Sequence, residues 1–183
     1  MKNKKIVELF ALLRSRGNPR KRAEIFRKMN VFHSMGEHCL YQPIALPSEP
    51  NLVSIGNNVN IAKGVCFVTH DVIHSMLIYK NQKDGEYPAP KNGYYMGKII
   101  VGNNVMIGQN AMIMYNVNIG SNSIIAGGSV VTKDVPEGAI VGGNPARVIG
   151  SLKELAEKRA VETIDMPDNH APIEEINRYF WGE

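Results

Sequence analysis

At 183 residues and 44% hydrophobic content, the chain is long enough for one domain with a sizeable core and too apolar for a disordered polypeptide. Cys39 and Cys66 are its only cysteines, which excludes a disulfide framework or a cysteine-based zinc site and fits reduced thiols in a cytoplasmic protein. The net charge of +4 is lopsided: residues 1–30 hold ten Lys and Arg against Glu8 and Glu24, a local excess of eight that leaves the remainder at −4. Aromatic residues suited to base stacking do not interleave with those cations, so no nucleic acid is expected as a partner.

In chain order, residues 1–35 read as a basic helical segment. Ile6, Leu9, Phe10 and Leu13 recur at helical spacing and predict one apolar face, ended by Asn18-Pro19. A second basic stretch, Lys21 to Met29, groups Ile25, Phe26 and Met29 on another face. A basic amphipathic start has two readings: a face packed on its own protein, or a peripheral contact with anionic lipid at the cytoplasmic membrane face. A signal peptide is a poor reading, because Glu8 interrupts the apolar run and Arg14, Arg16 and Arg20 follow it. No stretch approaches the length that spans a bilayer.

From Ile55 the period becomes six, which belongs to no helix. Ile55, Ile61 and Phe67 begin a series of large apolar residues that resumes with Val101, Ile107, Ile113, Ile119, Ile125 and Val131. Three residues after each stand corner residues: Asn58, Gly64 and His70, then Asn104, Asn110, Asn116, Asn122, Gly128 and Asp134. Asn, Asp and Gly tolerate a left-handed backbone best. The fifth hexad positions, Val105, Ala111, Val117, Ser123, Ser129 and Val135, are small or branched and suited to point inward beside the aliphatic stack. Short fixed periods of this kind predict an all-β solenoid, whose units bury their apolar faces only by stacking. Cys66, beside a stack position, reads as an inert small side chain.

Between Phe67 and Val101 the spacing is 34, not a multiple of six, so the chain must leave the coil and re-enter it. The excursion, about residues 69–97, carries His70, Asp71, His74, Tyr79, Tyr87, Tyr94 and Tyr95, and long loops within compact folds are commonly functional. Beyond Gly150, Ser151 with Glu154 forms a capping-box pattern for a helix through Ala160, and residues 161–171 read as a linker. Pro172, Ile173, Ile176, Tyr179 and Phe180 predict a short amphipathic helix that covers an open end of the solenoid or a neighbouring subunit. Residues 151–183 thus form a helical extension.

The Ile/Val-Gly steps Ile55-Gly56, Val101-Gly102, Ile107-Gly108 and Ile119-Gly120 resemble the hexapeptide-repeat acyltransferases. The run from Ile119 to Ile149, IGSNSIIAGGSVVTKDVPEGAIVGGNPARVI, is similar to their sugar, maltose and xenobiotic O-acetyltransferase branch. The resemblance covers about residues 51–150, more weakly 36–50, and neither terminus. It implies a left-handed parallel β-helix over 36–150 with three hexads per coil, against the usual right-handed crossover. It further implies a homotrimer with active sites between subunits, acetyl-CoA as acyl donor and no metal. Thr69-His70 matches the position of the family's catalytic His. Gln109, Ala126, Gly127 and Thr132 match positions along the pantetheine arm, and Lys133 and Arg147 match positions facing the nucleotide phosphates. Another basic position used by some relatives falls on Gly150.

A sugar hydroxyl is too weak an acid to ionise near neutrality, so its attack on a thioester requires a general base, and imidazole, with a reference pKa about 6.5, is suited to that task. Glu49 and Asp71 are alternative carboxylates to fix the His70 tautomer or grip the acceptor. His74, four residues from His70 and so on the same face of any helix through both, is a further candidate for acceptor contact or support. The expected function is O-acetylation of a sugar, in cell-surface polysaccharide or its lipid-linked precursor; N-acetylation of an amino sugar and xenobiotic acetylation are the near alternatives. Two rivals of other classes are a zinc enzyme similar to the γ-class carbonic anhydrases and a non-catalytic scaffold. The first needs three His ligands, yet of His33, His38, His70, His74 and His170 only His70 and His74 lie in or beside the coils.

Overall fold

The computed structural model describes residues 3–182. Helices α1 (Lys4–Ser15) and α2 (Pro19–Lys28) open the chain and pack on each other. Asn18 both follows α1 and caps α2: its side chain accepts the N–H groups of Arg20 and Lys21, while Pro19 occupies the first turn, where a missing N–H is not needed. Phe26 is fully buried and meets Phe32 and Tyr41 edge-on at centroid distances of 6.1 and 5.3 Å. The buried Arg22 ties α2 to the solenoid by donating to the carbonyls of Gln42 and Pro43. In α1 the face that packs is not the large apolar one. Val7, Ala11 and Ser15 are buried, whereas the larger Ile6, Leu9, Phe10 and Leu13 lie outward.

The solenoid has three parallel sheets. One stacks Ser34–Met35, Val53–Ile55, Ile99–Val101 and Val117–Ile119; a second stacks Cys66–Phe67, Met112–Ile113 and Val130–Val131. The third runs Leu40–Tyr41, Asn60–Ile61, Met106–Ile107, Ile124–Ile125 and Ala139–Gly143, and the antiparallel strand Ala146–Ser151 closes its end. Register follows the hexads: Val101 pairs with Ile119, Ile107 with Ile125 and Ile113 with Val131, so that each regular coil takes three hexads. Coiling begins at Ser34, two residues before the predicted boundary. The first coil is longer than three hexads: Tyr41 pairs with Ile61, and Glu37 N–H donates to the Asn57 side chain. That extra length hides it from a register built on sixes.

Stack positions Ile55, Ile61, Phe67, Val101, Ile107, Ile113, Ile119, Ile125 and Val131 are all buried, as are the fifth positions from Val105 to Val135, including Ser123 and Ser129. Burying each such aliphatic side chain contributes roughly 1.5–3 kcal/mol, which a lone hexad cannot achieve. The corners are left-handed at Asn58, Asn104, Asn110, Asn116 and Asn122 and at Gly64 and Gly128. Asn58 donates to Asn104, Asn104 to Asn122, and Asn122 to Glu137, a ladder of side-chain amides along one edge. At Gly102 an added Cβ would lie 2.7 Å from Ser121 N, so close coil contact there requires glycine.

Two predicted corners are absent. Asp134 does not adopt positive φ; its carboxylate accepts the Asn118 backbone and side-chain N–H groups, where the chain returns to Ile119 through a bridge from Val135. His70 is likewise not left-handed, because the chain leaves the coil there. Cys66 points outward and is exposed, so it does not serve as a packed core side chain.

The C-terminal helices are α4 (Leu152–Glu162) and α5 (Ile173–Trp181), numbered after α3 (Ile73–Asp84) in the excursion. Ser151 caps α4 by accepting Glu154 N–H, and its hydroxyl donates to the Glu154 carboxylate. α4 runs two residues beyond the predicted Ala160. No residue of α5 is buried, so on this chain it does not bury its apolar face.

Candidate active site

The excursion lengthens one coil. Across it Ile55 pairs directly with Val101, whereas in the next coil Val101 pairs with Ile119 after only three hexads. Its two ends are tied together. Gly97 N–H donates to Thr69 C=O, and the short strands His70–Asp71 and Tyr95–Met96 pair antiparallel with His70 opposite Met96. His70 is therefore held in a strand at the root of the loop. His74 lies in α3, which begins only at Ile73, so the two imidazoles do not share a helical face as their spacing predicted.

Glu49 reaches His70 from the other side. It precedes the 3₁₀ turn Pro50–Leu52 that leads into the coil, and its Oε2 lies 2.8 Å from His70 Nδ1. A carboxylate can only accept there, so the proton sits on Nδ1 and the neutral ring keeps its lone pair on Nε2. Nε2 has no hydrogen-bond partner among the described residues. The buried Thr69 donates its hydroxyl to the same Oε2 at 2.5 Å, fixing the carboxylate in turn. Burial alone would raise the Glu49 carboxyl; the hydrogen bonds from Thr69 and His70, with the charges of His70 and Lys4, outweigh it and hold the group below its ordinary value. Tyr94 stands edge-on to the His70 ring, centroids 5.3 Å apart.

Asp71 is engaged elsewhere. One oxygen accepts the Tyr115 hydroxyl at 2.6 Å and the other accepts Ile73 N–H at the start of α3. The Tyr115 hydrogen bond, then that of Ile73, lowers the Asp71 carboxyl below its usual range. His74 hydrogen-bonds Asn92 C=O through Nδ1 and stacks edge-on with Tyr95, holding α3 to the returning strand. Among these candidates the structure thus joins His70 with Glu49 and directs Asp71 and His74 to other partners. Tyr115 stands outside the set expected from sequence. The available signal was its position: the equivalent hexad sites hold Asn103, Gln109, Ser121, Gly127 and Lys133, with no other aromatic residue.

The register Phe67–Ile113–Val131 sets Thr69, Tyr115 and Lys133 at equivalent positions on successive coils, roughly 4.8 Å per step. Thr132 and Lys133 follow the strand Val130–Val131, and both are exposed on that edge. Gln109 and Gly127 are equivalent to each other on the preceding edge, where Gly128 N–H donates to Gln109 C=O, and Ala126 adjoins them. These positions therefore flank one face, the three-stranded sheet whose outward residues are Cys66, Met112 and Val130. Arg147 is exposed on the closing antiparallel strand opposite Gly142. Among the described residues, no three His, Cys, Asp or Glu side chains converge in a metal-binding group.

A family model described as "Bacterial transferase hexapeptide (six repeats)" matches residues 98–133. "Protein CapG" of Staphylococcus aureus is 41% identical over 142 residues, covering 76% of this chain and 76% of that protein. Galactoside O-acetyltransferase of Escherichia coli (strain K12) is 41% identical over 103 residues, 56% of this chain but 45% of its own length. A crystal structure of a hexapeptide-repeat-containing acetyltransferase from Vibrio cholerae matches with a TM-score of 0.58 over 81% of this chain and 90% of that one; at 23% identity this is a likeness of fold.

Proposed function

The chain belongs to the hexapeptide-repeat acyltransferases, and on that premise we propose that it moves an acetyl group from acetyl-CoA to a hydroxyl of a sugar, with His70 as general base. It is an acetyl-CoA-dependent acetyltransferase. The observation that carries the mechanism is the 2.8 Å contact between Glu49 Oε2 and His70 Nδ1, which leaves Nε2 as the free proton acceptor beside a loop of the length substrate sites use. The acceptor hydroxyl loses its proton to Nε2 as its oxygen bonds to the thioester carbon. The tetrahedral intermediate then collapses, the C–S bond breaks, and Nε2 returns the proton to the departing thiolate. Glu49 steadies the ring while it is charged, and no covalent acyl-enzyme is required.

Gln109, Ala126, Gly127 and Thr132 line the pantetheine arm, and Lys133 and Arg147 face the phosphates. That these positions flank two edges of one face favours a homotrimer, in which one edge of each chain meets the opposite edge of the next. Ile73, Met76 and Tyr79 are exposed on α3, apolar surface that a neighbouring subunit would cover. The coil is read as left-handed with the family, and its αL corners suit that hand. The galactoside relative favours a sugar acceptor, and reduced thiols favour the cytoplasm; a cell-surface polysaccharide or its precursor is the acceptor class we infer. His70→Ala tests the reading: the variant should fold and bind acetyl-CoA yet lose about 10²–10⁴-fold in kcat. Acetylation at near wild-type kcat would refute it.

A further inference from the structure

The outward face of α1 has no partner on this chain among the described residues. Ile6, Leu9, Phe10 and Leu13 are 64%, 58%, 46% and 67% exposed, yet they form a continuous stripe over two helical turns. The opposite face is firmly seated: Val7, Ala11 and Ser15 are buried, Glu8 accepts Leu46 N–H at 2.8 Å, and Lys4 Nζ donates to Pro47 C=O. The stripe is thus a fixed feature of the fold. Helical geometry sets Lys5 on one flank and Arg14 on the other, and Arg16, Arg20 and Lys21 are exposed beyond them. Both acids of this segment are occupied elsewhere, Glu8 at Leu46 and Glu24 with Lys28 and Arg27.

We propose that α1 docks the protein on an anionic phospholipid surface, its apolar stripe entering the headgroup boundary and its flanking cations meeting lipid phosphates. Charge selects this occupant. A second copy would bring one strongly cationic segment against another, whereas an anionic bilayer complements both the stripe and its rim. Among the described residues no helix is long and apolar enough to cross a membrane, so the contact is interfacial. Because α1 is tied to Leu46 and Pro47, close in the chain to Glu49, docking would hold the His70 site near the surface. This last consequence rests on the proposed acetyl transfer; the docking itself does not.

Flotation with vesicles of phosphatidylcholine alone or of equimolar phosphatidylcholine and phosphatidylglycerol tests it. The protein should float with the anionic vesicles at low salt, be largely released at high salt, and ignore the neutral ones. Leu9→Glu with Leu13→Glu, both at exposed positions, should lower vesicle affinity at least about tenfold while preserving the melting temperature and turnover of a soluble acceptor. Arg14→Ala with Arg20→Ala should weaken binding at low salt. Absence of flotation by the wild type, or equal flotation by the Glu variant, would overturn the proposal. A Glu variant that lowers the oligomeric mass, with no vesicle binding by the wild type, would assign the stripe to a second copy. Vesicle binding requires no turnover, so either reading can fail alone.

Discussion

The regular coils and the excursion use apolar residues in opposite ways. From Val101 to Val131 every stack position is buried, whereas α3 buries no residue although it carries Ile73, Met76 and Tyr79. The coil satisfies its apolar faces within one chain because each strand meets a near-copy of itself three hexads further on. The excursion has no such copy. What holds it is a few individual contacts: the Thr69–Gly97 hydrogen bond, the Asp71–Tyr115 pair and the His74 contacts with Asn92 and Tyr95. Stability therefore resides in the repeat, and the candidate site lies where the repeat is broken.

The same charge introduced in both regions is the sharpest way to break this contrast. Ile113→Asp should cost upwards of about 4 kcal/mol and abolish folding, because it buries an unpaired carboxylate in the stack. Tyr79→Asp, at a position 71% exposed, should leave folding intact. Similar thermal unfolding of the two variants would refute the contrast.

Glu49→Gln should act on turnover more than on binding. Loss of the carboxylate that orients and steadies the His70 ring is expected to reduce kcat roughly 10–100-fold with little change in the KM for acetyl-CoA, in keeping with other residues that orient a functional His. The same variant reads out pH dependence. Since the folded Glu49 carboxyl lies below its ordinary value, its contribution to stability is present above the unfolded pKa and fades as pH falls through the folded one. The stability difference between wild type and Glu49→Gln should accordingly shrink on acidification; a gap that widened would contradict the sign.

A smaller kinetic effect is expected from Lys133→Ala and Arg147→Ala, each raising the KM for acetyl-CoA up to about tenfold with kcat nearly unchanged. An equal effect with a donor lacking the 3′-phosphate would exclude that group as their target. Smallest is the corner. Asn104→Ala should destabilise by about 1–2 kcal/mol at φ of +55°, and Asn104→Gly by less, as followed by denaturant titration. Equal stability of all three proteins would remove the left-handed corner as a constraint.

The coil was legible because its signals are periodic and local. Ile107 or Asn110 declares its place by its distance from others of its kind, and burial at 0% and φ of +59° follow. The site was legible only in part. His70 could be singled out because it stands where the register fails, whereas Glu49 was one of two candidate carboxylates. Their contact could not be read, since a 3₁₀ turn and three strands of the coil intervene and either Glu49 or Asp71 had the right chemistry. Tyr115 engages Asp71 from the next coil, a relation that exists only once the excursion has closed and Phe67 is stacked on Ile113.

At the ends of the chain the division is sharper still. Spacing alone established that Ile6, Leu9, Phe10 and Leu13 share a face and that Ile173, Ile176, Tyr179 and Phe180 suit an amphipathic helix, because helical periodicity is a property of the local backbone. Which face of α1 would pack was decided by tertiary structure: Glu8 and Lys4 engage the Leu46–Pro47 segment, and Val7 and Ala11 are small enough to let the helix approach it. A sequence states which side chains lie together. What they lie against depends on residues distant in the chain, and hence on the fold.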